Sequence, residues 1–282
     1  MNAIGGYFEI EEEGIGIFPH KDAILLNTGR NALEYILSAL GSIKKIYLPY
    51  YTCEVVLEPI NKLKIPFQYY HIDQNFEIAD SITLDDNEYI IVNNYFGIKD
   101  AYIAKIAEFF REKIIVDCAQ AFFAPIISKT KMFYSMRKFV GVPDGGVAYG
   151  ICNKAKEYSI DDSSDRINHL YIRKEKGPEV GFKVYQENEW KLDNQDIKQM
   201  SMFTKEKLAN IDYQSIIYKR RENFCYMHSL LKYTNVLQIP EITSFVSPLV
   251  YPYMPESRDD LRTKLIENRI YVAKYWPNVK PL

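Results

Sequence analysis

Cysteine is scarce in this 282-residue chain: Cys53, Cys118, Cys152 and Cys225 lie far apart and form no CxxC pair. That spacing excludes a zinc ribbon, a thioredoxin-like motif and a disulfide framework. Cys118 and Cys152 sit among apolar neighbours and read as small core residues. An excess of charge is missing as well. Lys plus Arg number 35 against 37 Asp plus Glu, so there is no electrostatic footprint for nucleic acid or an anionic membrane surface. No apolar run approaches a membrane span, and the first residues, MNAIGGYFEIEEEG, lack the basic-then-apolar pattern of a secretory signal. The default expectation is a cytoplasmic protein. The sequence has no P-loop, GxGxxG, HExxH or GxSxG, no internal repeat and no low-complexity tract. His71-x-Asp73 has no third ligand at metal-binding spacing, and four dispersed histidines weaken any Ser/His/Asp arrangement.

What is present is a composition, 47% hydrophobic and 26% charged, that can bury a sizeable core. The first half alternates two periodicities. Lys45–Leu48, Phe67–Tyr70, Tyr89–Val92 and Lys113–Val116 are short β-branched or aromatic runs that read as strands, as does Val147–Tyr149. Between them, Asn31–Leu40 carries Ala32, Leu33, Ile36, Leu37 and Leu40 on one helical face. Thr52 is placed to cap a helix bearing Val55, Val56 and Ile60, with Pro59 straining it. Asp100 is placed to cap another, with Ile103, Ile106, Ala107 and Phe110 inward. Alternating strands and helices predict an α/β fold with a mostly parallel, doubly wound sheet. Residues 152–200 keep no long apolar period and read as polar excursions over that domain. A helix over Tyr213–Leu231, a strand-like Phe245–Tyr251, a helix over Arg258–Asn268 and a last strand Ile270–Ala273 then make a small α+β unit. The expected division is 1–212 and 213–282.

The informative residues lie at the expected strand ends, where open α/β sheets bind their ligands. They are Pro49–Cys53, Asn93–Gly97, Asp117–Gln120, Phe133–Lys138 and Gly141–Gly146, and Asn27–Ala32 opens the first helix. Gly29 there leaves backbone amides free for an anion. Asp117, at the end of an apolar strand, wants a cationic partner. Lys138 offers an amine for a Schiff base, and Ser135 a hydroxyl three residues before it. Taken singly, each has a plain alternative: a surface cation, a turn glycine, a helix cap. Their order along the chain is what gives them weight.

These residues resemble the fold type I pyridoxal phosphate (PLP) enzymes, specifically the DegT-type sugar aminotransferases. The resemblance covers Asn27 to Gly146 well and Met200 to Pro277 more weakly. Asn27–Leu33 is similar to the family's phosphate loop, which implies that Gly29, Arg30 and Asn31 hold the phosphate together with Ser135. Pro49–Thr52 resembles its proline-to-threonine turn, and Asn94-Tyr95-Phe96-Gly97 its His-Leu-Tyr-Gly stretch. Asp117–Ala121 resembles its Asp-Ala-Ala-Gln segment. That implies Asp117 on the pyridine nitrogen and Gln120 near the ring hydroxyl. Lys138, ahead of Asp144-Gly145-Gly146, resembles the Schiff-base lysine. Arg220–Asn223 resembles the helix leading into the small domain, and Tyr275-Trp276-Pro277 its C-terminal strand. Cys53 stands where the family often stacks an aromatic on the cofactor, and Asn94 replaces the family histidine. Arg137 directly precedes the lysine. With Asn94 and Tyr95, it is a candidate for contact with substrate.

The resemblance implies a PLP-dependent aminotransferase acting on a keto-sugar, nucleotide-linked, in surface-polysaccharide or amino-sugar biosynthesis. It would take a small-molecule amino donor, work as a homodimer, and have no nucleic-acid, membrane or metal partner. The family normally runs several tens of residues beyond the Trp-Pro, which implies a trimmed small domain or one completed by a partner. That shortness, with Cys53, motivates an alternative: a catalytically degenerate PLP-fold protein serving as a binding or scaffold partner. A nucleotide-binding α/β enzyme without PLP is a third reading, disfavoured by the absent phosphate-binding fingerprints.

Overall fold

The computed structural model describes residues 3–152, 154–257, 260–277 and 279. In chain order its elements are β1 (Ile4–Gly5), β2 (Ile24–Leu26), α1 (Gly29–Leu40), β3 (Lys45–Pro49), α2 (Leu57–Lys62), β4 (Phe67–Tyr70), β5 (Glu88–Asn93) and α3 (Asp100–Phe110). β6 (Ile114–Cys118), β7 (Lys131–Ser135) and β8 (Gly146–Tyr149) follow, then α4 (Asn168–Lys176), α5 (Pro178–Trp190), α6 (Met202–Ala209), α7 (Tyr213–Leu231), α8 (Leu261–Glu267) and β9 (Ile270–Tyr271).

Seven strands form the central sheet in the order β2-β8-β7-β6-β5-β3-β4. Their pairings are parallel except at β8, which runs antiparallel to both β2 and β7. The apolar runs are buried on both faces, as parallel strands between helical layers must be. Ile90, Val92, Ile114, Val116, Met132 and Tyr134 pack with Ile103, Ala107 and Phe110 of α3. On the other face Ile91, Ile115, Phe133 and Ala148 pack with Ala32, Leu33, Ile36 and Leu37 of α1. The sheet is therefore doubly wound, and the α/β reading holds. The two-residue period has a consequence at the strand ends: Asn93, Asp117 and Ser135 share the α1 face.

Several local expectations change. Residues 152–200 contain the helical pair α4–α5. Each helix buries few side chains, so no apolar stripe marks it. The pair docks through the Tyr7–Tyr185 ring stack, centroids 4.6 Å apart, and through Tyr7 Oη, which donates to Pro178 O, while Asn188 joins the two helices by donating to Arg166 O and His169 Nδ1. Thr52 caps no helix: Cys53 precedes a short 3-10 turn, and α2 starts only at Leu57. Pro59 falls in the first turn of α2, where its missing N–H costs nothing. Asp100 is the first residue of α3 rather than its cap. Phe245–Tyr251 is irregular; Leu249 N donates to Phe96 O, and Pro248 has no N–H to offer a ladder. Arg258 lies outside the described residues, and the helix expected from it is seen over Leu261–Glu267. The last strand ends at Tyr271 and pairs with β1 from the opposite end of the chain. Cys118 is buried, whereas Cys152 is exposed.

Candidate active site

The N-terminus of α1 opens at the ends of β7 and β8. Thr28 caps the helix: its Oγ1 accepts Asn31 N at 3.0 Å and its carbonyl accepts Ala32 N at 2.9 Å. Of the four amides that begin a helix, those of Gly29 and Arg30 are left without an acceptor inside it. Gly29 faces Ser135, for a Cβ there would lie 3.2 Å from Ser135 Cβ and 3.7 Å from its Oγ. Gly146 lets β8 cross directly beneath, since its Cβ would come 2.0 Å from Thr28 O. The Arg30 guanidinium is held by Glu58 at 2.8 Å and Asp193 at 2.5 Å, so its backbone rather than its charge faces the gap. Two open amides, a hydroxyl and the positive end of a helix dipole form an anion cradle.

Asp117 is the last residue but one of β6, the next strand across. It is buried, its Oδ1 accepts Ala119 N at 2.8 Å, and its carbonyl accepts Asn94 N at 2.9 Å. Burial pushes its pKa up, while the Lys138 ammonium and the Ala119 amide oppose that rise. Lys138 is half-buried in the 3-10 turn Met136–Lys138 that follows β7. Arg220 of α7 fastens this turn, donating to the carbonyls of Lys138, Phe139 and Leu249 and lying 4.5 Å from the Phe139 ring. Burial holds the Arg220 pKa down to about 10.

Gln120 is buried and its Oε1 accepts Phe96 N at 2.9 Å. A backbone N–H can only donate, so this bond fixes the amide orientation. Nε2 is left buried with no partner among the described residues. An orphaned donor of this kind is costly unless a ligand supplies its acceptor.

The other expected residues are placed as follows. Cys53 is half-buried beside Thr52, at the start of the 3-10 turn Glu54–Val56. Asn94 spends both ends of its carboxamide on α3: Nδ2 donates to Asp100 at 2.6 Å and Oδ1 accepts Lys99 N. Tyr95 donates to Tyr51 O and packs among Tyr51, Phe76 and Trp276. Arg137 is ion-paired with Glu189 of α5, and burial pushes its pKa down to about 10. Asn94, Tyr95 and Arg137 are thus tied to separate parts of the fold, although Arg137 Nε is buried with no partner among the described residues. Sequence reasoning assigned no role to Asn93, although it stands at a strand end. Asn93 is 5% exposed, pairs in register with Asp117 and donates to Thr52 Oγ1 at 3.0 Å. A polar residue closing an apolar β-run was the signal available for it.

Taken together, the strand ends offer a cradle for an anion, a buried carboxylate for a cationic nitrogen, an amine beside it, and a free amide donor. Neither a protein-family model nor a curated protein sequence matches the chain. Solved structures do. DesV of S. venezuelae, determined with a ketimine intermediate, superposes with a TM-score of 0.56 at 15% identity over 88% of this chain and 68% of its own. A sugar aminotransferase from Micromonospora echinospora gives 0.52 at 15% identity, over 87% of this chain and 71% of its own. A DegT/DnrJ/EryC1/StrS aminotransferase from Brucella abortus gives 0.54 at 14% identity, over 92% and 72%. At such identities the likeness is one of fold, and the chain has the fold of these aminotransferases.

Proposed function

We propose that this protein is a PLP-dependent aminotransferase that moves an amino group from a small-molecule donor to a keto-sugar, nucleotide-linked, in the making of amino-sugars or surface polysaccharide. The observation that carries the proposal is the gathering of the α1 cradle, Asp117, Gln120 Nε2 and Lys138 at neighbouring strand ends. The residues fit the group. The Gly29 and Arg30 amides and Ser135 Oγ would take its phosphate, Asp117 its ring nitrogen, Gln120 its ring hydroxyl, and Lys138 its aldehyde carbon. When bound, PLP supplies an electron sink for charge developing at the carbon next to the transferred nitrogen.

The chain's own residues do the rest. Asp117, desolvated, becomes a strong partner for a protonated ring nitrogen and keeps the proton there. Lys138 Nζ takes and returns a proton at the substrate carbon bearing the nitrogen. Arg220 ties the lysine turn, through the carbonyls of Lys138 and Phe139, to the carbonyl of Leu249. The sugar class of the acceptor is supported by the Micromonospora protein, which is named a sugar aminotransferase.

The working unit in this reading is a cytoplasmic homodimer with a large domain over 1–212 and a small one over 213–282. Four unpaired cysteines, two of them exposed, suit a reducing compartment. Among the described residues no helix is long and apolar enough to cross a membrane.

The test is an absorbance spectrum of the protein with added PLP, before and after borohydride reduction, with mass mapping of the labelled peptide. A visible band that reduction fixes onto Lys138, and that Lys138→Ala abolishes, supports the proposal. A colourless protein with no adduct, or a Lys138→Ala variant that still transaminates, overturns it. Light scattering in solution separates dimer from monomer.

A further inference from the structure

We infer that Asn93, held by Thr52, is a second carboxamide contact for the bound cofactor, on the ring edge opposite the phosphate. The inference rests on the cofactor reading above and adds to it a residue that reading does not use. Three observations place Asn93 there. First, it pairs with Asp117 across β5 and β6, and the two-residue period puts both side chains on the α1 face. Second, the strand order sets the direction. Gly146 and Ser135, on β8 and β7, frame the anion cradle, Asp117 on β6 follows, and Asn93 on β5 comes next. A flat heterocycle with its phosphate in the cradle and its nitrogen at Asp117 turns its far edge, which carries the 3-hydroxyl, toward β5. Gln120 reaches the same side, because its Oε1 is bonded to Phe96 in the turn after β5.

Third, Asn93 is buried with one end of its carboxamide tied and the other free. Nδ2 donates to Thr52 Oγ1 at 3.0 Å, Oδ1 has no partner among the described residues, and Thr52 is 4% exposed. An unpaired buried carbonyl costs stability, and the residues one step back on the same face, Ile91 and Ile115, show that apolar side chains suit this face of the sheet. Stability alone therefore does not account for an asparagine here. The Thr52 hydroxyl can accept or donate. A half-turn of the carboxamide exchanges the free acceptor for a free donor, with Thr52 satisfying the other end each time. Asn93 can thus donate to a deprotonated 3-oxygen alongside Gln120 Nε2. Two such donors favour the anionic oxygen and so lower the pH at which the lysine–cofactor Schiff base loses its proton.

The experiment uses the PLP-loaded protein and reads the Schiff-base titration spectrophotometrically, with the PLP dissociation constant measured separately. Asn93→Leu is expected to raise the titration midpoint so that the protonated fraction increases about tenfold at a fixed pH, the size of one lost hydrogen bond. Thr52→Val shifts it the same way by less. Asn93→Asp, nearly isosteric, shifts it further, since it sets a carboxylate beside the 3-oxygen; it also guards against misfolding of the leucine variant. Unchanged midpoints in both Asn93 variants, with borohydride still fixing PLP to Lys138, overturn this inference and leave the cofactor reading standing. A wild-type protein that takes up no PLP overturns both.

Discussion

Gln120 Oε1 accepts the backbone amide of Phe96 at 2.9 Å, and that one bond decides which end of the carboxamide is free. Phe96 is the non-glycine residue of its turn with positive φ, 56°, a backbone conformation unusual for a bulky residue. The free Nε2 is directed by the fold itself, before any ligand arrives. A site of this kind is preorganised at a cost in stability, and its residues can be separated by whether their loss weakens the fold or the function.

Asp117→Asn should lose function and keep the fold. Burial raises the Asp117 pKa, so in the folded protein without cofactor the carboxylate disfavours folding once pH exceeds the ordinary carboxyl range. Asparagine removes that penalty. Melting temperature above pH 6 is expected to stay level or rise, while PLP-dependent turnover falls by about 100-fold or more, as for loss of a key ionised group. A variant that melts much earlier than wild type would show that Asp117 is held for structure.

Arg137 and Glu189 form the ion pair that ties the lysine turn to α5. The Arg137 side chain is 17% exposed and that of Glu189 36%, so solvent moderates the pair. Glu189→Ala leaves a largely buried guanidinium unpaired and is expected to cost about 1–3 kcal/mol in denaturant unfolding. Arg137→Met with Glu189→Ala should cost less than the sum of the single changes. Additive single effects in this double-mutant cycle would mean that the two side chains do not couple.

His20 and His169 predict an acid limb of stability. Burial lowers both from the ordinary 6.5 to about 4, and each accepts or donates as a neutral ring: His20 to Phe122 O, His169 from Asn188. Between pH 6.5 and about 4 the unfolded chain binds the extra protons, so stability is full above 6.5 and falls as pH drops through that window. The loss is up to about 3 kcal/mol for each histidine at pH 4. Urea unfolding across that range checks it, and His20→Gln should flatten the slope. A slope equal to wild type in that variant assigns the acid limb to other groups.

The sequence by itself determined the alternation of strands and helices, the strands β3 to β6 to within two residues, and the order of chemistry along the strand ends. These follow from local physics. β-Branched runs such as Ile114–Val116 and the apolar face of α1 report burial directly, because side-chain period and helix pitch are properties of short segments. It did not determine the α4–α5 pair, whose docking rests on the Tyr7–Tyr185 stack and on polar contacts rather than an apolar stripe. Nor did it show that Asn94 serves α3, that Arg137 answers Glu189, or that Asn93 stands beside Asp117 with one end of its carboxamide free. The last three relationships join residues on different elements, up to 52 positions apart. A hydrogen bond or ion pair exists only where folding has already brought its partners within about 3 Å, and only the tertiary structure decides that.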